Sequence, residues 1–165
     1  MSLTVSVDAA APVVGMKSAS ASTCDVQQST VRCLIIAPNL QRLEMLSRAA
    51  LAAGWAVVPC GTAESGWQSH RRERYEMSIV DLDGLHAEEA SEFRSLGEDV
   101  ARTSSLFVLC GNEGDALEEI WARQQGVWLY LPGVSDVNEM SSLCEQARTV
   151  VDRELLRHEG QRNVP

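Results

Sequence analysis

The sequence predicts an α/β fold in which a five-stranded parallel sheet is covered by helices on both faces. Five short apolar runs, each suited to a buried strand, alternate with segments whose apolar residues recur at helical spacing. Strands that alternate with helices favour parallel pairing, because each connection has to cross back over the sheet. The chain has 165 residues, 45% of them hydrophobic, which is enough for one well-buried domain with little left for a second.

The predicted strands are apolar segments bounded by proline, glycine or polar residues. They cover residues 31–37, 55–60, 77–81, 106–110 and 127–131. Pro59 places the second strand at an edge of the sheet, because proline has no N–H to donate to a neighbouring strand. Pro132 ends the fifth strand.

Each strand is followed by a helical segment, and three of these segments have a clear starting residue. Asn39, Thr62 and Asp115 can each cap a helix N-terminus with a side-chain oxygen. The five helices are predicted to begin near residues 40, 63, 87, 116 and 136. The second helix runs into an exposed basic stretch at 70–74, and the last is predicted to end near His158.

The folded domain is predicted to cover residues 31–157. Residues 1–30 are rich in Ala, Ser, Thr and Val without a clear period, which indicates a disordered N-terminal arm. Residues 158–165 are expected to form a C-terminal tail. Lys17 follows the mild apolar stretch of the arm instead of preceding it, so the arm makes a poor secretory signal and a cytoplasmic location is predicted.

Composition and motifs exclude several classes of function. The formal net charge of −9 argues against nucleic acid or an anionic membrane surface as the main partner. No apolar run approaches the roughly 20 residues that span a bilayer. Residues 37–40, after the first strand, contain no glycine, which removes the usual dinucleotide and phosphate-loop motifs. The five cysteines have no metal-type spacing, so no metal site and no cofactor are predicted.

Asp81 is the most informative residue because it ends the buried third strand. The carboxyl edge of a parallel sheet is where α/β proteins place their chemistry. A carboxylate can take part in phosphoryl chemistry there when other carboxylates hold a metal ion and a cation meets the phosphoryl oxygens. The residues at the other strand ends are neither acidic nor cationic, and Asp83 is expected to point to the other side of its loop.

From about residue 31 to residue 156 the sequence resembles a response-regulator receiver domain of two-component signalling. The stretches that carry the likeness are residues 34–36, 79–84, 106–110 and 122–133. The last of these has the helix-Gly-strand-Tyr-Leu pattern that closes the family's fold. The resemblance implies a flavodoxin-like, doubly wound sheet with strand order 2-1-3-4-5.

Two of the family's functional positions are kept in this sequence. By the resemblance, Asp81 matches the phosphoacceptor aspartate, and Tyr130 falls on the aromatic switch position.

The remaining positions differ from the family. The acidic pair that holds Mg²⁺ falls on Ala37 and Pro38, the switch Ser/Thr falls on Cys110, and the lysine after the fifth strand falls on Gly133. The resemblance therefore points to a degenerate receiver, or pseudo-receiver, with no catalytic residues.

Three functions stay open at this point. The leading one is a non-enzymatic signalling module of a phosphorelay system that acts by protein–protein interaction without phosphorylation. A working response regulator phosphorylated on Asp81 by atypical chemistry is the first alternative. A flavodoxin-like binder of a cofactor or small molecule is the second.

Trp121 and Trp128 mark a possible interaction surface. The resemblance places them in the region of the fourth helix and fifth strand, where receivers dock partners, and tryptophan is enriched at binding hot spots. Tyr130 follows Trp128 by two positions, so both are expected on one face of the strand. The predicted partner is a histidine kinase, a downstream effector, or a second copy bound through the α4-β5-α5 face.

Overall fold

A computed structural model describes residues 31–103 and 106–162, with side chains as far as residue 158. The predicted arm, residues 1–30, lies outside the described residues. The five strands are β1 (Arg32–Ile36), β2 (Ala56–Cys60), β3 (Met77–Asp81), β4 (Leu106–Gly111) and β5 (Leu129–Pro132). The five helices are α1 (Leu40–Ala52), α2 (Ala63–Arg72), α3 (Ala87–Ala101), α4 (Ala116–Gln124) and α5 (Val137–Arg162).

The strands form one parallel sheet in the order β2-β1-β3-β4-β5. This confirms the predicted fold class and strand order. Pro59 lies exposed in β2 at the edge of the sheet, as its missing N–H requires. Within the part of the chain that the structure describes, no helix combines the length and apolar character that a membrane span needs.

Side chains alternate between two cores, one on each face of the sheet. In β1, Ile35 belongs to the core under α1 and α5, whereas Leu34 and Ile36 belong to the core under α2, α3 and α4. In β3, Ile79 belongs to the first of these cores. Residues two apart in a strand share a face, so Asp81 is directed toward the side that α1 covers.

Two element boundaries differ from the prediction by two residues or more. β5 begins at Leu129 instead of residue 127, so Trp128 precedes the strand, although its N–H donates to the carbonyl of Phe107 at 2.8 Å. α5 continues to Arg162, past the predicted end near His158. Residues 158–162 contain no proline, and the helix formers Glu159, Gln161 and Arg162 flank Gly160, so the helix continues beyond its apolar face.

Candidate functional site

Asp81 ends β3, which lies in the middle of the sheet between β1 and β4. Its side chain is fully buried. Cys110 of β4 lies opposite it in the register and is also fully buried. The structure thus brings Asp81 and the predicted switch position Cys110 together at the carboxyl edge.

Arg42, in the first turn of α1, holds both carboxylate oxygens of Asp81. Its Nε lies 2.6 Å from Oδ2, and its Nη2 donates to Oδ1 at 2.9 Å. Asn39 fixes this turn, because its Oδ1 accepts hydrogen bonds from the N–H groups of Gln41 at 3.0 Å and Arg42 at 3.2 Å. The buried Asp81 carboxylate therefore forms a bidentate ion pair with Arg42.

The third nitrogen of Arg42 connects Asp81 to two loops. Nη1 lies 3.2 Å from Oδ2 of Asp83 and also donates to the carbonyl of Val134 in the loop before α5. The expectation that Asp83 points to the other side of its loop is therefore wrong. The guanidinium attracts this second carboxylate to the same point.

The sequence predicted no cation near Asp81, and this prediction is wrong. The strand ends themselves carry no cation, but α1 begins at the same edge and its first turn supplies Arg42. The sequence feature that could have predicted this contact is the position of Arg42, the third residue of the helix that follows β1. Topology places such a turn beside the central strand end.

Burial and the guanidinium act in opposite directions on the Asp81 carboxyl. Burial raises the pKa of Asp81, and the hydrogen bonds and positive charge of Arg42 oppose that rise. For Arg42, burial works to lower the pKa, but the bond and charge of Asp81 outweigh it and the pKa is raised. Arg42 therefore stays cationic and is the main group that supports a charged Asp81.

The residues at this edge do not fit a Mg²⁺ ion. Mg²⁺ needs oxygen ligands, and Ala37 and Pro38, the positions predicted to correspond to the family's acidic pair, have no side-chain oxygen. The N–H of Ala37 is bonded to the carbonyl of Cys60 at 3.0 Å. The two nearby carboxylates, Asp81 and Asp83, already face one arginine.

Cys110 and Gly133 also offer little chemistry. Burial raises the pKa of the Cys110 thiol well above its usual range, and the nearby charge of Asp81 adds to the effect, so the thiol stays protonated. Gly133 has a φ of +64° and lies next to Glu113, whose Cβ would be 3.3 Å from an added Cβ. The position predicted to correspond to the family's lysine is thus a glycine in the left-handed conformation.

A second polar cluster lies beside the first, around the buried carboxylate of Glu118 in α4. Oε1 of Glu118 accepts from the backbone N–H of Asn112 at 2.8 Å and from the Tyr130 hydroxyl at 3.1 Å. Oε2 accepts from Nδ2 of Asn112 at 3.3 Å and from Nη2 of Arg94 at 3.4 Å. The side chain of Glu118 is buried because four donors compensate for its lost hydration.

Sequence reasoning missed Glu118. The sequence feature that could have indicated its burial is its spacing of four from Ala122, which puts both residues on one face of α4. In the structure both residues are buried. The large apolar residues of the same helix, Leu117 and Ile120, point away from the core and are 79% and 53% exposed. Helix α4 therefore buries a charge and exposes its hydrophobic side chains.

Asn112 joins the two polar clusters. Its Nδ2 donates to the carbonyl of Leu82 at 3.4 Å, and its Oδ1 accepts from the N–H of Gly84 at 3.0 Å. The same side chain contacts Glu118. The loop that follows Asp81 is thus tied to the carboxylate that holds Tyr130.

Tyr130 is turned inward by these contacts. Its hydroxyl lies 3.4 Å from the carbonyl of Asn112 in addition to its bond to Glu118. Burial raises the pKa of Tyr130, and the bond to the Glu118 carboxylate raises it further. Tyr130 is therefore a neutral donor that is fixed against α4.

The two tryptophans differ in their surroundings. Trp121 is half-buried between α3 and α4, with Arg94 5.7 Å from its ring centre and Nε1 3.4 Å from Oε1 of Glu98. Trp128 is 39% exposed and lies before β5, so alternation along the strand does not fix its face relative to Tyr130. Trp121 packs two helices together, whereas Trp128 is accessible.

No protein-family model and no curated protein matches this sequence. Solved structures do match it. A CheY-like response-regulator receiver domain protein from Methanospirillum hungatei JF-1 superposes with a TM-score of 0.62 at 16% identity, covering 78% of this chain and 99% of that chain. The signal receiver domain of a putative Luxo repressor protein from Vibrio parahaemolyticus gives 0.61 at 12% identity, with coverages of 76% and 95%.

An orphan response regulator of H. pylori is also similar, with a TM-score of 0.59 at 15% identity, covering 72% of this chain and 96% of that chain. At these identities the likeness establishes the fold. It confirms the resemblance to response-regulator receiver domains at that level.

Proposed function

We propose that this chain is a receiver-like signalling module that acts through protein–protein contacts and does not depend on phosphorylation of Asp81. The observation that carries the proposal is the ion pair in which Arg42 holds both oxygens of Asp81, at 2.6 and 2.9 Å. In this degenerate receiver the arginine takes the place of the metal ion and lysine as the partner of the central carboxylate.

Phosphoryl transfer to Asp81 would disturb this pair. The incoming group has to approach an oxygen that Arg42 already contacts, and it brings charge that must be neutralised. Arg42 covers both oxygens and is itself anchored by Asp83 and the carbonyl of Val134. The edge has no further side chain at Ala37, Pro38 or Gly133 that would supply a metal ligand or a cation.

A constitutive output surface accompanies this inactive centre. The bonds from Tyr130 and Asn112 to Glu118 hold the start of α4 against β5 in one arrangement. Leu117, Ile120 and Trp128 are exposed nearby. We infer that this α4-β5-α5 face binds a histidine kinase, a downstream effector or a second copy of the chain, and that the protein is not an enzyme.

A cytoplasmic location is part of the same proposal. Cys33, Cys60, Cys110 and Cys144 are buried and free in the described residues. Free thiols persist in a reducing compartment. The second alternative, a flavodoxin-like binder, is less well supported, because the cavity beside Asn112 and Pro132 has a volume of about 140 Å³, below the roughly 300 Å³ that small-molecule sites usually have.

Phosphorylation with acetyl phosphate, and mimicry with beryllofluoride in the presence of Mg²⁺, test the proposal. Intact-mass spectrometry after borohydride trapping should show no adduct on Asp81. Asp81→Asn provides the background, and a working receiver treated in parallel shows that the reagents are active. A stoichiometric adduct that disappears in Asp81→Asn would mean that Arg42 releases the carboxylate, and it would favour the working-receiver alternative.

A further inference from the structure

A basic cavity lies at the amino-terminal end of the sheet, opposite the edge that carries Asp81. It has a volume of about 580 Å³ and is formed where α2 ends, where the chain enters β3, and where α3 ends. Its ionisable lining comprises His70, Arg71, Arg72, Glu73, Arg74 and Arg102. Four guanidinium groups thus border one cavity in a chain whose net charge is −9.

Two acidic residues near this cavity are already engaged. Glu73 lies 2.5 Å from Arg32, and Asp99 pairs with Arg102. Across residues 31–103 and 106–158, Arg71, Arg72 and Arg74 have no ion pair. Among these residues, three exposed arginines are therefore left without a carboxylate within 4 Å.

Helix dipoles account for part of this charge but not for all of it. The carbonyl ends of α2 and α3 point toward the cavity, and each contributes about −0.5 charge, which offsets about one guanidinium. Arg71 and Arg72 belong to the last turn of α2, whereas Arg74 lies beyond its end. No helix end explains Arg74.

The geometry points to a ligand, and we propose that this cavity binds a small anion with at least two phosphate groups. Guanidinium groups present parallel donors that match phosphate oxygens. A volume of about 580 Å³ lies within the range of roughly 300–1,000 Å³ for small-molecule sites. An adjoining cavity of about 400 Å³ shares Arg71 and Arg72 and is bordered by Trp67, which offers a ring surface for a nucleoside.

The test is a titration of the full chain with inorganic pyrophosphate, followed by amide NMR. We expect saturable shifts confined to residues 70–76 and 102–103. The double variant Arg71→Glu/Arg74→Glu should weaken binding by about 10-fold or more, because it removes two charge-assisted donors and puts two negative charges beside the phosphates. The single variant Arg74→Gln, at an exposed position, should weaken it with the fold unchanged.

The matched control is Arg48→Glu/Arg153→Glu, which makes the same change of net charge at exposed positions on α1 and α5. An equal loss of affinity in this control, or amide shifts spread over all arginines, would show that binding is nonspecific and electrostatic. Either result would overturn the proposal. Failure to saturate would do the same. None of these outcomes depends on Asp81, so the proposed function is tested independently of this anion site.

A parallel titration with ADP distinguishes the possible sources of the phosphates. A further shift of the Trp67 indole and tighter binding than pyrophosphate would identify a nucleotide. Equal binding of both would identify a site that recognises phosphates alone. Binding of a poly-glutamate peptide with no response to pyrophosphate would overturn the proposal in favour of an acidic protein partner.

Discussion

Arg42 and Asp81 are separated by 39 positions in the chain, yet they form a two-point ion pair with Nε–Oδ2 and Nη2–Oδ1 distances of 2.6 and 2.9 Å. The arginine side chain is 15% exposed and the aspartate side chain is not exposed at all. The pair joins the first turn of α1 to the central strand. The central carboxylate of the sheet is thus held by a contact between two elements that are far apart in the chain.

Arg42→Met should lower the free energy of unfolding by about 3–5 kcal/mol, because it leaves Asp81 buried without a counter-charge. Urea unfolding at neutral pH measures the loss. Arg48→Met, on the exposed side of the same helix, is the control and should stay within about 0.5 kcal/mol of the parent. If both variants unfold like the parent, the ion pair contributes no stability.

Replacing both partners should be far less damaging than replacing one. Arg42→Met/Asp81→Leu removes the uncompensated charge together with its partner, and exchanging a buried pair for apolar groups is often close to neutral. We expect the double variant to regain most of the stability lost in Arg42→Met. Equal stability of the single and double variants would indicate that Arg42 acts through Asp83 and Val134 instead.

The loss of unfolding free energy caused by Arg42→Met should increase with pH. Burial already raises the pKa of Asp81 in the folded protein, and loss of the arginine raises it further. A carboxyl whose folded pKa exceeds its unfolded value of about 3.9 makes stability fall as pH rises from that value through the folded pKa. The variant should therefore lie closest to the parent near about pH 4.

Urea unfolding between about pH 4 and pH 8 follows this change. The same substitution in an Asp81→Asn background is the control, because the Asp81 carboxyl no longer titrates there and only Asp83 is left beside residue 42. A pH-independent difference between parent and Arg42→Met would show that the charge of Asp81 is not what the arginine offsets.

Gly111→Ala should disturb the Glu118 cluster. A Cβ at Gly111 would lie 2.2 Å from Oε1 of Glu118 and 2.5 Å from the Tyr130 hydroxyl. Overpacking of this kind usually costs about 1–3 kcal/mol, and here it also separates a buried carboxylate from its donors. Gly61→Ala is the control, since an added Cβ there meets nothing within 4 Å.

Thermal or urea unfolding measures the loss of stability. The fluorescence of Trp121, which lies in the same helix as Glu118, reports the disturbance of the cluster. A Gly111→Ala protein as stable as Gly61→Ala would mean that Tyr130 and Glu118 can separate freely. In that case Tyr130 would not be fixed in one position, and a constitutive α4-β5-α5 face would lose its structural basis.

The exposed face of α4 should matter for association more than for folding. Leu117→Ser/Ile120→Ser and Trp128→Ala should weaken binding to a second copy or to a native partner, with little loss of stability. Trp121→Ala should destabilise the fold, because its ring packs between two helices and faces Arg94. Light scattering across protein and salt concentration measures the association.

Binding should weaken as salt rises if the acidic chain meets a basic partner surface. A protein that stays monomeric throughout, and whose variants recover native partners as well as the parent does, would disprove the interface.

The fold followed from patterns that are local in the sequence. Asn39, Thr62 and Asp115 each accept backbone hydrogen bonds at the start of their helices, as their residue types predict. Pro59 marked the edge strand correctly. Boundaries were less accurate, because the start of β5 at Leu129 depends on pairing with β4 and the end of α5 depends on helix propensity beyond the core.

By itself the sequence determined the parallel sheet, its strand order through the family resemblance, and the place of Asp81 at the central strand end. Only the tertiary structure decided that Arg42 neutralises Asp81 and that Glu118 is buried against Tyr130. Strands and caps are set by neighbouring residues and by the period of hydrophobicity. The partner of a buried charge is set by which side chains the crossing helices bring within hydrogen-bond distance, and that depends on contacts between residues far apart in the chain.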